Sequence, residues 1–401
     1  MFESILSAYS NTQIIILQQI YRKRKITRAE LTEATGFQLL TVTKSVSRLL
    51  ADGLIAEREY RQSTGGRKAA LLSVNPDYRY TLAADIGASC ARIGVVGMDG
   101  SVIESEIVAA EVHDNGNTVP ARHVSVAQLR TKLTKLIRKY GKDKILGLGV
   151  GVSGVVRHSS GQVLFCPNIS GWNDVDMQKE FAEPLGVPVF VDTAARCMAL
   201  AEYALGAGQG VADQVCISIG TSVAAGILLD GKVYRGADEA AGEIGHTTVR
   251  ADGRRCTCGN RDCLGLYVTT PTLLMQAKKA LPEFSGFSPL KTILQGRVYP
   301  TPQELQAAAL QGDKLALEIL QRCAETIGTA VGYLTNILNP NLIVLGGATI
   351  DFFPQLVEEV ARISQRSGFT VTQQNLTIKP YALGTLSAMI GAALQVIDAF
   401  F

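Results

Sequence analysis

The sequence has no uncharged apolar run as long as the roughly 18 residues that a membrane-spanning helix needs, so we expect no membrane span. Near the N-terminus, the apolar run 14–17 precedes the basic run 22–25, which reverses the order of a secretion signal. The chain also lacks a large net charge, since +3 over 401 residues identifies no class of partner. A composition of 47% hydrophobic and 19% charged residues is typical of globular protein, and this length usually divides into two or three domains.

The charge is unevenly distributed along the chain. Residues 1–80 contain 12 lysines and arginines against 7 aspartates and glutamates, whereas the remaining residues contain 27 against 29. A basic excess confined to one segment suits an anionic partner such as DNA, although a solvated surface can have the same composition.

This basic segment has the pattern of a helix-turn-helix. A first helix is predicted over residues 12–21, and Thr27 with Glu30 forms a capping box that begins a second helix. Gly36 supplies the positive φ of the turn, and a third helix is predicted over residues 39–52. Its positions at helical spacing are expected to face inward: Leu39, Val42, Val46, Leu49 and Leu50.

The other faces of the third helix carry short polar groups and two cations, which suit base reading and phosphate contact. The candidate DNA-binding residues on and before this helix are Gln38, Thr41, Thr43, Lys44, Ser47 and Arg48, with Ser45 beside them. Two strands follow, at 54–58 and 69–74, and the basic hairpin tip 63–68 between them is typical of a wing. In that wing the candidates are Gly66, Arg67 and Lys68. A three-helix protein-interaction module shares the helical pattern, and the basic tip favours DNA.

From Tyr80 onward, β-branched runs alternate with helical stretches, and the pattern then restarts near residue 215. Strands are predicted at 82–86, 91–96, 102–108, 145–152, 187–192, 215–219 and 224–229, with helices at 125–138 and from 194. Small-residue turns follow three strands, at 87–89, 220–222 and 346–347. Each turn alone commonly reflects tight packing, but paired turns can hold phosphates, and three in this order favour a two-lobed, actin-like sugar-kinase fold.

A metal-binding pattern lies in the second half. His246, Cys256, Cys258 and Cys263 fall within 18 residues, and Gly259 permits the turn between the thiols. Zinc prefers such a tetrahedral set of three thiols and one imidazole, and four protein ligands leave no open position, so we expect structural zinc (Zn²⁺). The alternative is four unrelated residues. The five other cysteines have apolar neighbours and are expected in the core of a protein of the reducing cytoplasm: Cys90, Cys166, Cys197, Cys216 and Cys323.

Taken together, these residues resemble the ROK family of repressors, open reading frames and kinases, over essentially the whole chain. The resemblance rests on the segments 26–53, 65–67, 151–154, 167–172 and 241–246, and on the spacing of the three cysteines. It is closest to the repressor branch, the NagC- and XylR-like regulators, which carry an added DNA-binding domain. It implies an α/β protein in which residues 1–77 form a winged helix-turn-helix. Residues 78–193, completed by a C-terminal helix at 384–401, form one lobe, and 194–383 form the other, with the zinc loop 246–263.

The departures from the family bear on catalysis. Counting back from Glu202, the asparagine–aspartate motif of the family's kinases falls on residues 193–196, so its catalytic base falls on Ala194. Alanine cannot take a proton from a sugar hydroxyl. The family's phosphate turns read Gly87-Ala88-Ser89 and Gly220-Thr221-Ser222, and a sugar-binding glutamate is replaced by Gly265. We therefore predict no kinase activity and no catalytic residues; if the register slips, Asp192 is the residue to test.

The resemblance also indicates a cleft that binds a sugar or a sugar derivative, with the contacts Gly154, Asn168, Thr193, Glu243 and His246. Glu243 has an alternative role in orienting His246, and Asn168 in serving its turn. The predicted function is that of a cytoplasmic, nucleoid-associated repressor of carbohydrate-metabolism genes. We expect it to bind a palindromic operator in double-stranded DNA as a homodimer or homotetramer. The alternatives are a sugar kinase with a regulatory DNA-binding arm, and a DNA-bound protein without a small-molecule effector.

Overall fold

The computed structural model describes residues 5–60, 69–113, 121–166, 169, 171–297 and 299–401. The chain forms two compact units, one of residues 1–194 with 392–401 and the other of residues 195–391. Among the described helices, none is both long enough and apolar enough to cross a membrane.

The first unit begins with three short helices, α1 (Asn11–Lys23), α2 (Arg28–Thr35) and α3 (Leu39–Ala51). The capping box is confirmed, because the Thr27 hydroxyl accepts from the Glu30 amide and the Glu30 carboxylate accepts from Thr27. Gly36 ends α2 with φ of 70°, as the turn requires. The helix-turn-helix elements predicted from the sequence are therefore present.

The inward face of α3 differs from the prediction at three positions. Val42, Val46 and Leu49 are fully buried as expected, but Leu39 is 57% exposed, Leu50 is only half-buried and Ser45 is buried. Leu39 is the first residue of the helix, one turn before the part of α3 that packs on α1 and α2. Its side chain therefore has no core to enter, although its spacing from Val42 suggests an inward position.

Two antiparallel strands follow, β1 (Ile55–Tyr60) and β2 (Ala70–Val74), which pair from Ile55–Val74 to Tyr60–Ala70. They form the base of the predicted wing. The wing tip, with the candidates Gly66, Arg67 and Lys68, lies outside the described residues.

The main sheet of the first unit has five strands, β3 (Tyr80–Ile86), β4 (Cys90–Gly97), β5 (Val102–Ala109), β8 (Ile145–Val152) and β12 (Val189–Thr193). Across the sheet they lie in the order β12-β8-β3-β4-β5. Smaller pairings involve β6 (Glu111–His113), β7 (Ala121–His123), β9 (Val155–Arg157), β10 (Gln162–Phe165) and β11 (Val175–Asp176). The helices of this part are α4 (Val126–Tyr140), the π-helix Gln178–Ala182 and α5 (Glu183–Leu185). Its core includes Trp172, whose indole N–H donates to the Val124 carbonyl at 2.7 Å.

The second unit contains another five-stranded sheet, made of β13 (Gln214–Ile219), β14 (Val223–Leu229), β15 (Lys232–Tyr234), β16 (Leu342–Gly346) and β17 (Thr377–Pro380). Across the sheet they lie in the order β15-β14-β13-β16-β17. The helices are α6 (Ala194–Leu205), α7 (Gly265–Val268), α8 (Thr270–Ala280), α9 (Pro289–Leu294), α10 (Pro302–Leu310), α11 (Lys314–Leu338), α12 (Ala348–Phe352), α13 (Leu356–Ser364), α14 (Thr370–Gln373) and α15 (Ser387–Phe400). Helix α6 begins at the last residue of the first unit's main segment, and α15 ends in the first unit.

The two main sheets have the same topology. In each, three successive strands form an antiparallel meander, a fourth strand adds in parallel to the first of the three, and a fifth adds in parallel to the fourth. This repeat confirms the predicted α/β class and the restart of the pattern near residue 215. Among the five separate cysteines, four are buried as expected, whereas Cys90 is half-buried.

Within the first unit, the end of the chain packs on helix α1. The buried Tyr21 hydroxyl donates to the Asp398 carboxylate at 2.5 Å, and its ring stacks on Phe401 with centroids 4.2 Å apart. The Arg24 guanidinium lies 4.5 Å from the centroid of the same ring, and the Gln18 amide donates to the Phe401 carbonyl. The first of the three N-terminal helices is thus held by residues near the C-terminus.

We expect Tyr21→Phe to lower the free energy of unfolding by about 0.5–1.5 kcal/mol, because it removes one hydrogen bond and keeps the aromatic stacking. Chemical denaturation followed by circular dichroism measures this change. Tyr234→Phe is the matched control, since Tyr234 is 47% exposed and its hydroxyl makes no hydrogen bond with any described residue. Equal stability of the two variants would show that the Tyr21 hydroxyl contributes nothing.

Candidate functional site

Helix α3 presents a polar and cationic face. The six candidate residues Gln38, Thr41, Thr43, Lys44, Ser47 and Arg48 are all exposed, as a groove-reading helix requires. Arg48 forms an ion pair with Asp52, the residue that follows the helix, at 2.7 Å. Lys44 forms no ion pair with any described residue. Lys44 can therefore contact a phosphate directly, whereas Arg48 would first have to give up its contact with Asp52.

The predicted metal ligands come together in the second unit. One ligand atom from each of His246, Cys256, Cys258 and Cys263 lies within 4.8 Å of the others. The Cys258 and Cys263 sulfurs are 3.7 Å apart, and the Cys256 sulfur is 3.6 Å from the His246 Nδ1. Zinc–sulfur bonds of about 2.3 Å and zinc–nitrogen bonds of about 2.0 Å give tetrahedral edges of roughly 3.5–3.8 Å. The four residues therefore fit a tetrahedral metal ion.

Asp262 supports this loop, and the sequence analysis did not identify it. Its buried carboxylate accepts hydrogen bonds from the backbone amides of Gly253 and Arg254, both at 2.8 Å, and from the Tyr267 hydroxyl at 2.6 Å. These donors lower the pKa of Asp262, with the Tyr267 hydroxyl the largest cause. The sequence contains one signal for this role. Asp262 directly precedes the candidate ligand Cys263, and residues beside metal ligands commonly orient them.

Arg196 is a second residue whose role the sequence did not indicate. Its guanidinium is buried, and its Nη2 donates to the carbonyls of Glu239 at 2.6 Å and Ala241 at 2.9 Å. These two carbonyls lie in the segment that leads to Glu243 and His246. Burial raises the pKa of Glu243, and the charges of His246 and Arg196 oppose this rise. A buried cation therefore holds the segment that carries Glu243.

The candidate effector contacts are distributed over the chain. Gly154 and Thr193 belong to the first unit, Glu243 and His246 belong to the second, and Asn168 lies outside the described residues. A side chain at position 154 would meet the Phe165 carbonyl, so this glycine has a packing reason. The Thr193 amide donates to the Asp192 carboxylate at 2.8 Å, and Asp192 is buried. The His246 Nδ1 faces the cysteines, which leaves Nε2 for other contacts.

Just before the first small-residue turn, strand β3 carries a carboxyl group whose pKa is raised. Asp85 is half-buried near the end of β3 and lies opposite Arg92 on β4. Burial raises the pKa of Asp85 to about 6, and the charge of Arg92 limits the rise. Of the other two turns, Gly347 has φ of 91° and lies against the backbone of Ile219, so packing explains that glycine.

Comparison with known proteins distinguishes the two parts of the chain. A model described as the ROK family matches residues 81–399. A xylose repressor from Caldicellulosiruptor bescii is 28% identical over 388 residues, covering 96% of this chain and 95% of that protein. A glucokinase from Halalkalibacterium halodurans is 28% identical over 272 residues, covering 67% of this chain and 80% of that protein. A crystal structure of a ROK family transcriptional regulator, a homolog of the E. coli MLC protein, has a TM-score of 0.77 at 25% identity, covering 97% of this chain and 96% of that one.

We expect Asp85→Asn to stabilise the protein at pH 7.5 by about 1–2 kcal/mol, with an advantage that shrinks below about pH 6 and disappears only below about pH 3.9. The folded-state pKa of about 6 exceeds the unfolded value of about 3.9, so ionisation opposes folding above pH 6 and not below both values. Thermal unfolding across this pH range measures the effect. The exposed Asp238→Asn is the control, and a stability difference that does not change with pH would contradict the expectation.

Proposed function

The chain belongs to the ROK family, and from this premise we propose that it is a DNA-binding transcriptional repressor of sugar-metabolism genes. The observation that carries the proposal is how much of this chain each group of relatives matches. The match to the xylose repressor includes nearly the whole chain, whereas the match to the glucokinase covers only 67% of it. The helix-turn-helix precedes residue 81, where the family model begins, and DNA binding gives this added segment a function.

The DNA interface of the proposed repressor is the exposed face of α3 together with the wing. Gln38, Thr41, Thr43 and Ser47 offer hydrogen bonds to base edges, while Lys44 and Arg48 contact phosphates. Gly66, Arg67 and Lys68 act in the adjacent minor groove. Two copies of the chain bind the half-sites of a palindromic operator, spaced by about 34 Å as in other helix-turn-helix dimers. Residues 1–77 form the DNA-binding domain. Residues 78–193, completed by the C-terminal helix at 384–401, form one lobe of the body, and residues 194–383 form the other.

A sugar or a sugar derivative is the effector. Its proposed contacts are those that the resemblance to the family implies: Gly154, Asn168, Thr193, Glu243 and His246. For an effector to control DNA binding, it must bind two conformations of the protein with different affinity. The relatives named as xylose repressors support a carbohydrate effector.

The protein is not an enzyme in this proposal. Ala194 stands where the family's kinases carry their catalytic base, and a methyl group cannot accept a proton. Asp192, the nearest carboxylate in sequence, is buried, and one of its oxygens already accepts from the Thr193 amide. The resemblance to glucokinases keeps a sugar kinase as the second candidate. Sugar-dependent consumption of ATP that Asp192→Ala abolishes would establish it.

The test of the function is selection of bound fragments from the source genome by the purified protein, with and without pooled sugars. We expect one palindromic site, and a change in its enrichment when sugars are present. Lys44→Ala should weaken binding by about 1–3 kcal/mol and reduce the salt dependence by about one phosphate contact. Lys232→Ala, an exposed cation on β15, should bind as the unaltered protein does. If no site is enriched under either condition, the proposed function is wrong.

The proposal extends to the cluster of His246, Cys256, Cys258 and Cys263, which would hold zinc in a structural role, because four protein ligands would leave no open position on a tetrahedral ion. Zinc bound there would tie His246 to the loop of Cys256–Cys263 and so stabilise the segment beside Glu243.

Cys258→Ser is expected to lose the bound zinc and to lower Tm, because three ligands hold the ion much less tightly than four. Metal analysis by plasma mass spectrometry and a thermal melt measure the two effects. Cys90→Ser alters a half-buried thiol outside the cluster, and it should keep its zinc. Full zinc occupancy in the Cys258 variant would refute this ligand set.

A further inference from the structure

Two large apolar side chains are exposed at the start of α3. Leu39 is 57% exposed and Leu40 is 65% exposed, so two consecutive apolar side chains lie open to solvent there. The inward residues of the same helix begin only at Val42, which is fully buried. Neither leucine therefore contributes its side chain to the core of the helical module, and both are available to a partner.

The position of the two leucines indicates what they contact. They are the first two residues of the helix, and the N-terminal residues of a recognition helix meet base edges in the major groove. They are flanked by exposed polar and cationic residues, Gln38 before them and Thr41, Thr43 and Lys44 after them. The segment around them has the basic excess that suits a polyanion. A partner that is both polyanionic and locally apolar fits this surface.

The major groove of DNA offers one such apolar group, the C5-methyl of thymine. A leucine cannot form a hydrogen bond, so against any other base it would displace water from polar edge atoms without replacing the lost bonds. Leucine at these positions consequently favours thymine and disfavours the other three bases.

On this basis, and resting on the proposed function, we infer that Leu39 and Leu40 read thymine methyl groups in the operator. These two residues add an apolar component to the specificity of a face whose other members act through hydrogen bonds and charge. The operator half-site then contains thymine at the positions facing the N-terminus of α3.

Deoxyuridine tests the inference, because it differs from thymidine only in lacking the methyl group. Each thymine of the selected operator is replaced in turn, and the Kd is measured by fluorescence anisotropy. We expect one or two positions in each half-site where the replacement weakens binding about three- to tenfold, the scale of one buried methyl group. At those positions, the double variant Leu39→Ala/Leu40→Ala should show no difference between thymine and uracil.

Lys44→Ala is the matched control on the same helix. It should weaken binding to every operator and keep the difference between thymine and uracil, since a phosphate contact carries no information on the base. Because both leucines are exposed, the double variant should keep the circular dichroism spectrum and Tm of the unaltered protein.

The outcomes separate this inference from the proposed function. If the operator is bound and Lys44→Ala weakens it, but uracil is tolerated at every position, the inference is wrong and the repressor stands. If the leucine variant leaves operator binding intact and changes the mass of the oligomer in solution, the leucines contact a second copy of the chain instead. If no operator is selected, both are wrong.

Discussion

The buried carboxylate of Glu202 is the interaction on which the organisation of the second unit depends. Its side chain is fully buried, and its oxygens accept from the amides of Ala207, Ala382 and Leu383 and from the Ser387 hydroxyl, at 2.8–3.0 Å. A buried carboxylate is tolerated only when donors replace its lost hydration, and these four do so with backbone and hydroxyl groups. Position 206 must be glycine, because a side chain there would collide with this carboxylate. The end of α6 is thereby joined to the turn that begins α15.

Close packing around α6 extends this constraint to the functional segment. Gly226 on β14 and Gly391 on α15 lie so near the backbone of α6 that neither position has room for a side chain. With α6 held in this way, Arg196 is directed at the carbonyls of Glu239 and Ala241, and the segment that follows contains Glu243 and His246. The segment that leads to His246 is therefore hydrogen-bonded, at Glu239 and Ala241, to a buried guanidinium in the interior of the unit.

The same fold serves kinases and regulators. In the proposed repressor, the methyl group of Ala194 would stand where the family's kinases carry their catalytic base. Ala194 is the first residue of α6, a helix whose packing depends on small residues and on Glu202. A different residue at this position would therefore change the chemistry of the site without requiring a different architecture.

The sequence by itself determined the features that depend on neighbouring residues. These local patterns are each found where they were predicted: the capping box at Thr27, the turn at Gly36, the β-branched strands, and the spacing of His246 with its three cysteines.

Only the tertiary structure decided which side chains lie in the core and which distant residues meet. Helical spacing placed Leu39 inward, but the helix begins beyond the core and Leu39 is exposed. The contacts of Tyr21 with Asp398, of Arg196 with Glu239 and of Glu202 with Ser387 join residues that are 377, 43 and 185 positions apart. No local pattern encodes such pairs, because they form only when packing of the whole unit brings separate segments together.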